Sequence, residues 1–411
     1  MTDATETPPL VLRDAAQVRL HTTRIVEETP VFDMHTHLFP HAFGDLLHWG
    51  IDELLTYHYL VAELMRSADV RPEQYYRMPR SAQADLIWET LFVRNTPLSE
   101  AACGVIAVLS ALELDPSAPD LREARAFFQG VRLPDHVGRV LERANVEAVV
   151  MTNDPFDPAE VRVWDERPAL DSRFHTALRL DTLLKDEATT AIEARRFVEM
   201  WVERIKPLYM AVSLGDDFAW PAGGPGGRMI RDVVLPACRD RGLPLALMIG
   251  VRRQVNPALR DAGDAVGRAD VTALHRLCAE HPDNRFLVTM LSRENQHELC
   301  VAARKFPNLM PFGCWWFLNN PSIVSEITRE RLEMLGASFI AQHSDARILE
   351  QLLYKWPHAR REVARALADQ YVRVIENGRP VTIAEVTRDV RRLFAGNFLQ
   401  WTLMDGRKPT V

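Results

Sequence analysis

Short apolar, β-branched runs recur along the chain, and each is followed by a stretch whose apolar positions return at helical spacing. Eight can be counted: VFDMH (31–35), VEAVVMT (146–152), FHTALRL (174–180), IKPLYMAV (205–212), LPLALMIG (243–250), RFLVTML (285–291), NLMPFGCW (308–315) and ASFIAQHS (337–344). Strands that alternate with helices in this way build βα units on a parallel sheet. Eight units argue for an α/β fold of the (β/α)₈ TIM-barrel type, although an open doubly wound sheet produces the same local pattern.

The spacing breaks once. About 110 residues separate the first run from the second, where a crossover needs only a dozen or more. The intervening sequence, including DELLTYHYLVAELMR and SAQADLIWETLFV, is apolar at helical spacing. The expected organisation is therefore residues 1–40 as the N-terminal segment with strand 1, 41–140 as a helical insertion, and 141–411 as the rest of the barrel and its C-terminal helices. A loop after strand 1 of such a barrel opens onto the catalytic face. The Gly- and Pro-rich stretch GDDFAWPAGGPGGRM (215–229) follows strand 4 and is expected as a mobile active-site loop, because it lacks the glycine spacing of a phosphate cradle.

Composition narrows the partners. The chain has 411 residues, 47% hydrophobic and 26% charged, and a net charge of -7, so an ordinary globular core is expected and no basic field exists to gather nucleic acid or anionic membrane. Five scattered cysteines, Cys103, Cys238, Cys278, Cys300 and Cys314, form no CxxC pair, which fits reduced thiols better than a disulfide framework. The N-terminus carries acids where a leader would carry basic residues, and no window is apolar enough to span a membrane. A cytoplasmic protein is expected.

The sharpest chemical signal is Asp33-Met34-His35-Thr36-His37 at the end of the first run. Period-two geometry puts Asp33, His35 and His37 on one face, so two imidazoles converge at the barrel mouth and can hold a cation, Zn²⁺ first among divalent metals. Two unrelated surface histidines would give the same letters. At the far end of the chain the last run leads into His343-Ser344-Asp345-Ala346-Arg347. Strand 8 neighbours strand 1 in a closed barrel, so Asp345 can reach His35 and His37; its duller alternative is a cap for the helix that follows.

These residues resemble those of the uronate isomerase family, the glucuronate and galacturonate isomerases of the amidohydrolase superfamily. The likeness rests on the DxHxH-type start, THLFP, ELLTYHYLVAE, VVMTNDPFD, IGVRRQVN, MPFGCWWFLNNP and a final SDAR where the family usually has TDSR, over about residues 30 to 400. It implies a distorted (β/α)₈ barrel with a helical insertion after strand 1. It also implies metal ligands at His35, His37 and Asp345, an active-site pair at His58 and Tyr59, a substrate-binding arginine at Arg179, a strand 8 arginine at Arg347, and substrate contacts from Trp315 and Trp316. Read alone, Tyr59 and the tryptophans could be core aromatics, and the arginines could be solvated. A guanidinium at a strand's C-terminal end nevertheless faces the mouth and suits a carboxylate.

One departure stands out. Met248 occupies LALMIG where the family typically has histidine, and AVSLGDD at the end of strand 4 lacks the family's histidine as well. Met248 could simply pack the barrel, with Arg252, Arg253 or the Asp216 and Asp217 pair supplying the missing contact. The activity implied by the resemblance is aldose–ketose isomerisation of a hexuronate, with Asp345 or Tyr59 moving the proton and Arg347 stabilising the oxyanion. The partner is then a small sugar acid, and a homo-oligomer is a family-level expectation. The alternatives are a metal-dependent hydrolase or lactonase on the same three ligands, and a catalytically dead barrel that binds a sugar acid or a partner protein.

Overall fold

The computed structural model of the chain describes residues 10–402, apart from 187 and 222. The first nine residues, on which the leader reading partly rests, lie outside them. Seven parallel strands pair in chain order: β1 (Val31–Thr36), β2 (Val146–Asn153), β3 (Phe174–Arg179), β4 (Met210–Gly215), β5 (Leu245–Arg252), β6 (Phe286–Met290) and β7 (Leu309–Pro311). Each lies within one of the first seven apolar runs or overlaps it. β1 is buried at every position, as a strand covered on both faces must be. A two-residue strand, Ala265–Val266, adds antiparallel to β5.

The sheet is strongly curled and barrel-like. Its two edges meet a shared segment, residues 340–346. On one side Ile340 N donates to Pro311 O and Gly313 N to Ile340 O; on the other Asp345 N donates to His35 O (3.1 Å) and His37 N to Ala346 O (2.7 Å). The eighth apolar run is expected as a strand over 337–344, but among the described residues it makes one isolated bridge, Phe312 with Ile340. The reason is local: Pro311 offers no amide, Gly313 sits at φ +58° and Asp345 at φ +49°, so neither partner stays extended for a full ladder.

Between β1 and β2 the chain forms helices, among them α1 (His58–Ser67), α2 (Glu100–Ala111) and α3 (Leu133–Arg143). Ser99 caps α2 by accepting from Ala102 N. Stretch 215–229 is not all loop: helix Gly224–Met229 continues into buried Ile230, Val233 and Val234, whose burial outweighs the low helix propensity of its glycines. The long helix α4 (Leu352–Glu376) packs against helix Ala15–Glu28 at the N-terminal side, and Val11–Leu12 pairs antiparallel with Val381–Thr382. No described helix is long and apolar enough to cross a membrane.

Candidate active site

At the C-terminal ends of the strands lies a cleft of about 1260 Å³, with a smaller hollow beneath it. β1 delivers His35 and His37 to this point, and the turn after Ser344 delivers Asp345. One ligand atom from each lies within 4.8 Å of the others, with His35 Nε2 3.7 Å and His37 Nε2 3.3 Å from Asp345 Oδ1.

Two hydroxyl groups fix the state of the imidazoles. The Tyr209 hydroxyl donates to Met34 O (2.7 Å) and lies 2.9 Å from His35 Nδ1; its proton already used, it can only accept from that nitrogen. Thr152 Oγ1 donates to Thr36 O (2.9 Å) and lies 2.9 Å from His37 Nδ1, so the same holds there. Each imidazole therefore carries its proton on Nδ1 and turns a bare Nε2 lone pair toward Asp345 Oδ1, which itself has no hydrogen-bond partner in the protein. Three buried lone pairs facing one another repel unless a cation sits among them, and that donor set suits a borderline divalent ion.

Burial keeps the imidazoles neutral, drawing His35 down to about 4 and His37 to about 3. Burial opposes the charge of Asp345 and the buried Lys355 ammonium favours it, its carboxyl lying well below the usual carboxylate range. A cation thus meets two neutral nitrogens and one anionic oxygen.

Arg179 and Arg347 line both the cleft and the hollow. Arg179 Nε donates to Asp181 Oδ2 (2.6 Å), and Asp181 Oδ1 accepts from Ser213 N (2.8 Å), so β4 braces the arginine at the end of β3. Trp316 also lines both spaces, while Trp315 lines the hollow. His58 lines the cleft with its ring edge-on to Trp316, centroids 5.6 Å apart. His58 Nε2 and Trp316 Nε1 are buried without a hydrogen-bond partner in the protein. Tyr59 is not among the cleft-lining residues; its ring packs on Tyr57 (5.0 Å) and His58 (4.5 Å), and Tyr57 lines the cleft. Met248 and Ser213 border the hollow, Leu214 lines the cleft, and Arg253 lines both spaces. Arg252 instead pairs with Asp216 (2.5 Å), and neither lines the cleft or the hollow.

No protein-family profile and no curated protein matches the sequence. Solved structures do. A uronate isomerase from Bacillus halodurans C-125 is 50% identical over 97% of this chain and 98% of its own, with a TM-score of 0.93. The chain belongs to the uronate isomerase family. A uronate isomerase from Thermotoga maritima (15% identity, 94% of this chain and 97% of its own, TM-score 0.73) and a glucuronate isomerase from Caulobacter crescentus (16%, 96% and 95%, 0.72) share the fold. So does a protein from Lactobacillus casei described as a putative metal-dependent hydrolase (14%, 93% and 97%, 0.56). This member of the family thus combines the His35, His37 and Asp345 cluster with Met248 and Ser213 at the floor of the site.

Proposed function

We propose that this enzyme interconverts a hexuronate aldose and its ketose, D-glucuronate with D-fructuronate or D-galacturonate with D-tagaturonate, with a divalent metal, Zn²⁺ first, held by His35, His37 and Asp345. The observation that carries the reading is the placement of two arginines beside that cluster, Arg179 braced by Asp181 and Arg347 lining the same spaces: a hexuronate has a carboxylate at one end and an aldehyde at the other, and both need positive charge. Arg179, held by Asp181, would take the carboxylate bidentately and so fix which end of the sugar enters the hollow. A bound divalent ion would supply Lewis acidity toward the carbonyl oxygen.

The chain's own groups would do the rest. Isomerisation moves the C2 proton to C1 through an enediol, so a base must stand near C2 and a donor near the carbonyl oxygen. Asp345 is the carboxylate candidate, kept ionised as described. Tyr59 is the phenol candidate, packed on the cleft-lining Tyr57, and Arg347 would stabilise the oxyanion as it develops. His58, Trp315 and Trp316 would close the sugar's remaining faces. The helices of 41–140 act in this reading as a helical insertion after strand 1 that roofs the mouth of a distorted (β/α)₈ barrel, with 1–40 and 141–411 supplying the barrel and its C-terminal helices. Free thiols at all five cysteines support a cytoplasmic setting.

The test is incubation with D-glucuronate, D-galacturonate and a panel of sugar lactones, reading ketouronate formation against ring opening. Ketouronate from either uronate supports the reading. Lactone opening with no turnover of either uronate would replace it with metal-assisted hydrolysis on the same ligands. Replacing Tyr59 by Phe and following solvent deuterium into C1 separates the two proton carriers; unchanged rate and exchange assign the transfer to Asp345.

A further inference from the structure

We propose that Lys355 is a positioning residue of this site: its ammonium, reaching in from α4, fixes the Ser344–Asp345 peptide so that Asp345 Oδ1 meets the two imidazoles. The inference rests on the metal-site reading of His35, His37 and Asp345, though not on the identity of the sugar.

Lys355 is 4% exposed and is not among the residues lining the cleft or hollow, so its ammonium cannot greet a substrate. Its Nζ donates to Ser344 O at 2.7 Å and approaches Asp345 O at 3.5 Å. The next residue completes the grip: Trp356 Nε1 donates to Asp33 Oδ2 (2.8 Å), and Asp33 Oδ1 accepts from Ser344 N (3.0 Å). One dipeptide of α4 thus holds Ser344 at its carbonyl directly and at its amide through Asp33. Clamping at this point has a physical reason, because Asp345 stands at φ +49°, a conformation a non-glycine residue leaves unless its surroundings over-determine it.

Stability alone gives no reason for a lysine here. A buried ammonium loses its hydration, and methionine would fill the same stem without that penalty. What the lysine adds is a donor at the end of a long stem, reaching Ser344 O and approaching Asp345 O from behind the cluster. Asp33, the first letter of the DxHxH-type start, therefore serves the clamp, while His35 and His37 face the cluster.

K355M and K355Q test the proposal. Wild type and variants, stripped with chelator, are titrated with Zn²⁺ and with Co²⁺ against a chromophoric competitor, and melting temperature, kcat and KM for the uronate are measured alongside. The expected result for K355M is metal affinity at least tenfold weaker, a melting temperature of the metal-free protein lowered by no more than the lost hydrogen bond to Ser344 O accounts for, and a fall in kcat with little change in KM. K355Q, which keeps a donor for Ser344 without the charge, is expected to recover part of the affinity. Metal affinity of K355M within twofold of wild type overturns the proposal; if K355M does not fold, the same result for K355Q does so. A wild-type protein that takes up neither metal overturns the metal-site reading itself, a distinguishable failure.

Discussion

At the scale of single residues, the state of the site is set by groups that never touch the cluster's centre. Tyr209 and Thr152 each spend a proton on a backbone carbonyl and accept one from a histidine, which leaves both Nε2 atoms bare. Y209F removes the acceptor for His35 Nδ1 and the donor for Met34 O in one step. Its expected effect is a metal affinity lowered by about tenfold to a hundredfold, together with a stability loss of about 1–3 kcal/mol for the two unpaired buried groups. T152V should act on His37 in the same direction. Cobalt absorption in the metal-stripped variants reads this: a Y209F protein with an unaltered spectrum and affinity would show that His35 needs no partner to hold its tautomer.

At the scale of elements, burial decides which parts of the fold are legible in the sequence. Seven strands were legible because parallel strands buried on both faces are written as continuous apolar runs, and His35, His37 and Asp345 were legible because they sit at the ends of such runs. Thr152 and Tyr209 were not, since a threonine in VVMTN and a tyrosine in PLYMA look like ordinary strand residues until β2 is paired with β1 and the residue before β4 reaches Met34 O. Lys355 and Arg360 were hidden in the polar half of an amphipathic helix, where a buried cation has no local signature. The eighth run was over-read because its apolar letters do not show that Gly313 and Asp345 turn out of the extended region. Gly313 makes this testable: an ideal Cβ there would lie 1.8 Å from His343 Nδ1, and its φ is already positive, so G313A is expected to destabilise by about 2–4 kcal/mol. Arg360 offers a cleaner measurement far from the cleft. From α4 its guanidinium caps Val26 O, Thr29 O (2.7 Å) and Asn145 O (3.0 Å), tying the starts of β1 and β2 together. R360M should lower the urea midpoint by the equivalent of about 2–3 kcal/mol and leave turnover per folded molecule intact; loss of turnover at unchanged stability would contradict this division of labour.

At the scale of the whole molecule, burial of titratable groups on both sides of neutrality shapes how stability responds to acid. Burial lowers His35 to about 4 and His37, His58 and His343 to about 3. Their unfolded forms take protons near pH 6.5, so each destabilises the fold progressively as pH drops from 6.5 toward its native value. Burial also raises Asp33 to about 6 and Glu100 and Glu160 to about 7. Their folded forms take protons first, so each stabilises the fold as pH drops from its native value toward the unfolded carboxylate range. Burial lowers His48, His175, His281 and His358 as well and raises Glu63, so the imidazoles outnumber the compensating carboxylates and stability falls as pH drops below 6.5, the carboxylates offsetting part of the loss. Below about pH 4.5 the carboxylates are titrated in both states and cease to compensate. The imidazoles continue down to about pH 3, and Asp345, depressed in the fold, adds its own loss below pH 4. The expected profile for metal-stripped protein therefore declines from about pH 6.5 and steepens below about pH 4.5, where the carboxylates no longer compensate. Denaturant midpoints across pH 7 to 3.5 measure it, and E160Q sharpens the test. Removing one compensating carboxylate should steepen the upper segment by about 1.4 kcal/mol per unit and leave the lower one alone. A slope between pH 6.5 and 5 that E160Q leaves unaltered would show that the buried carboxylates do not hold their protons in the fold.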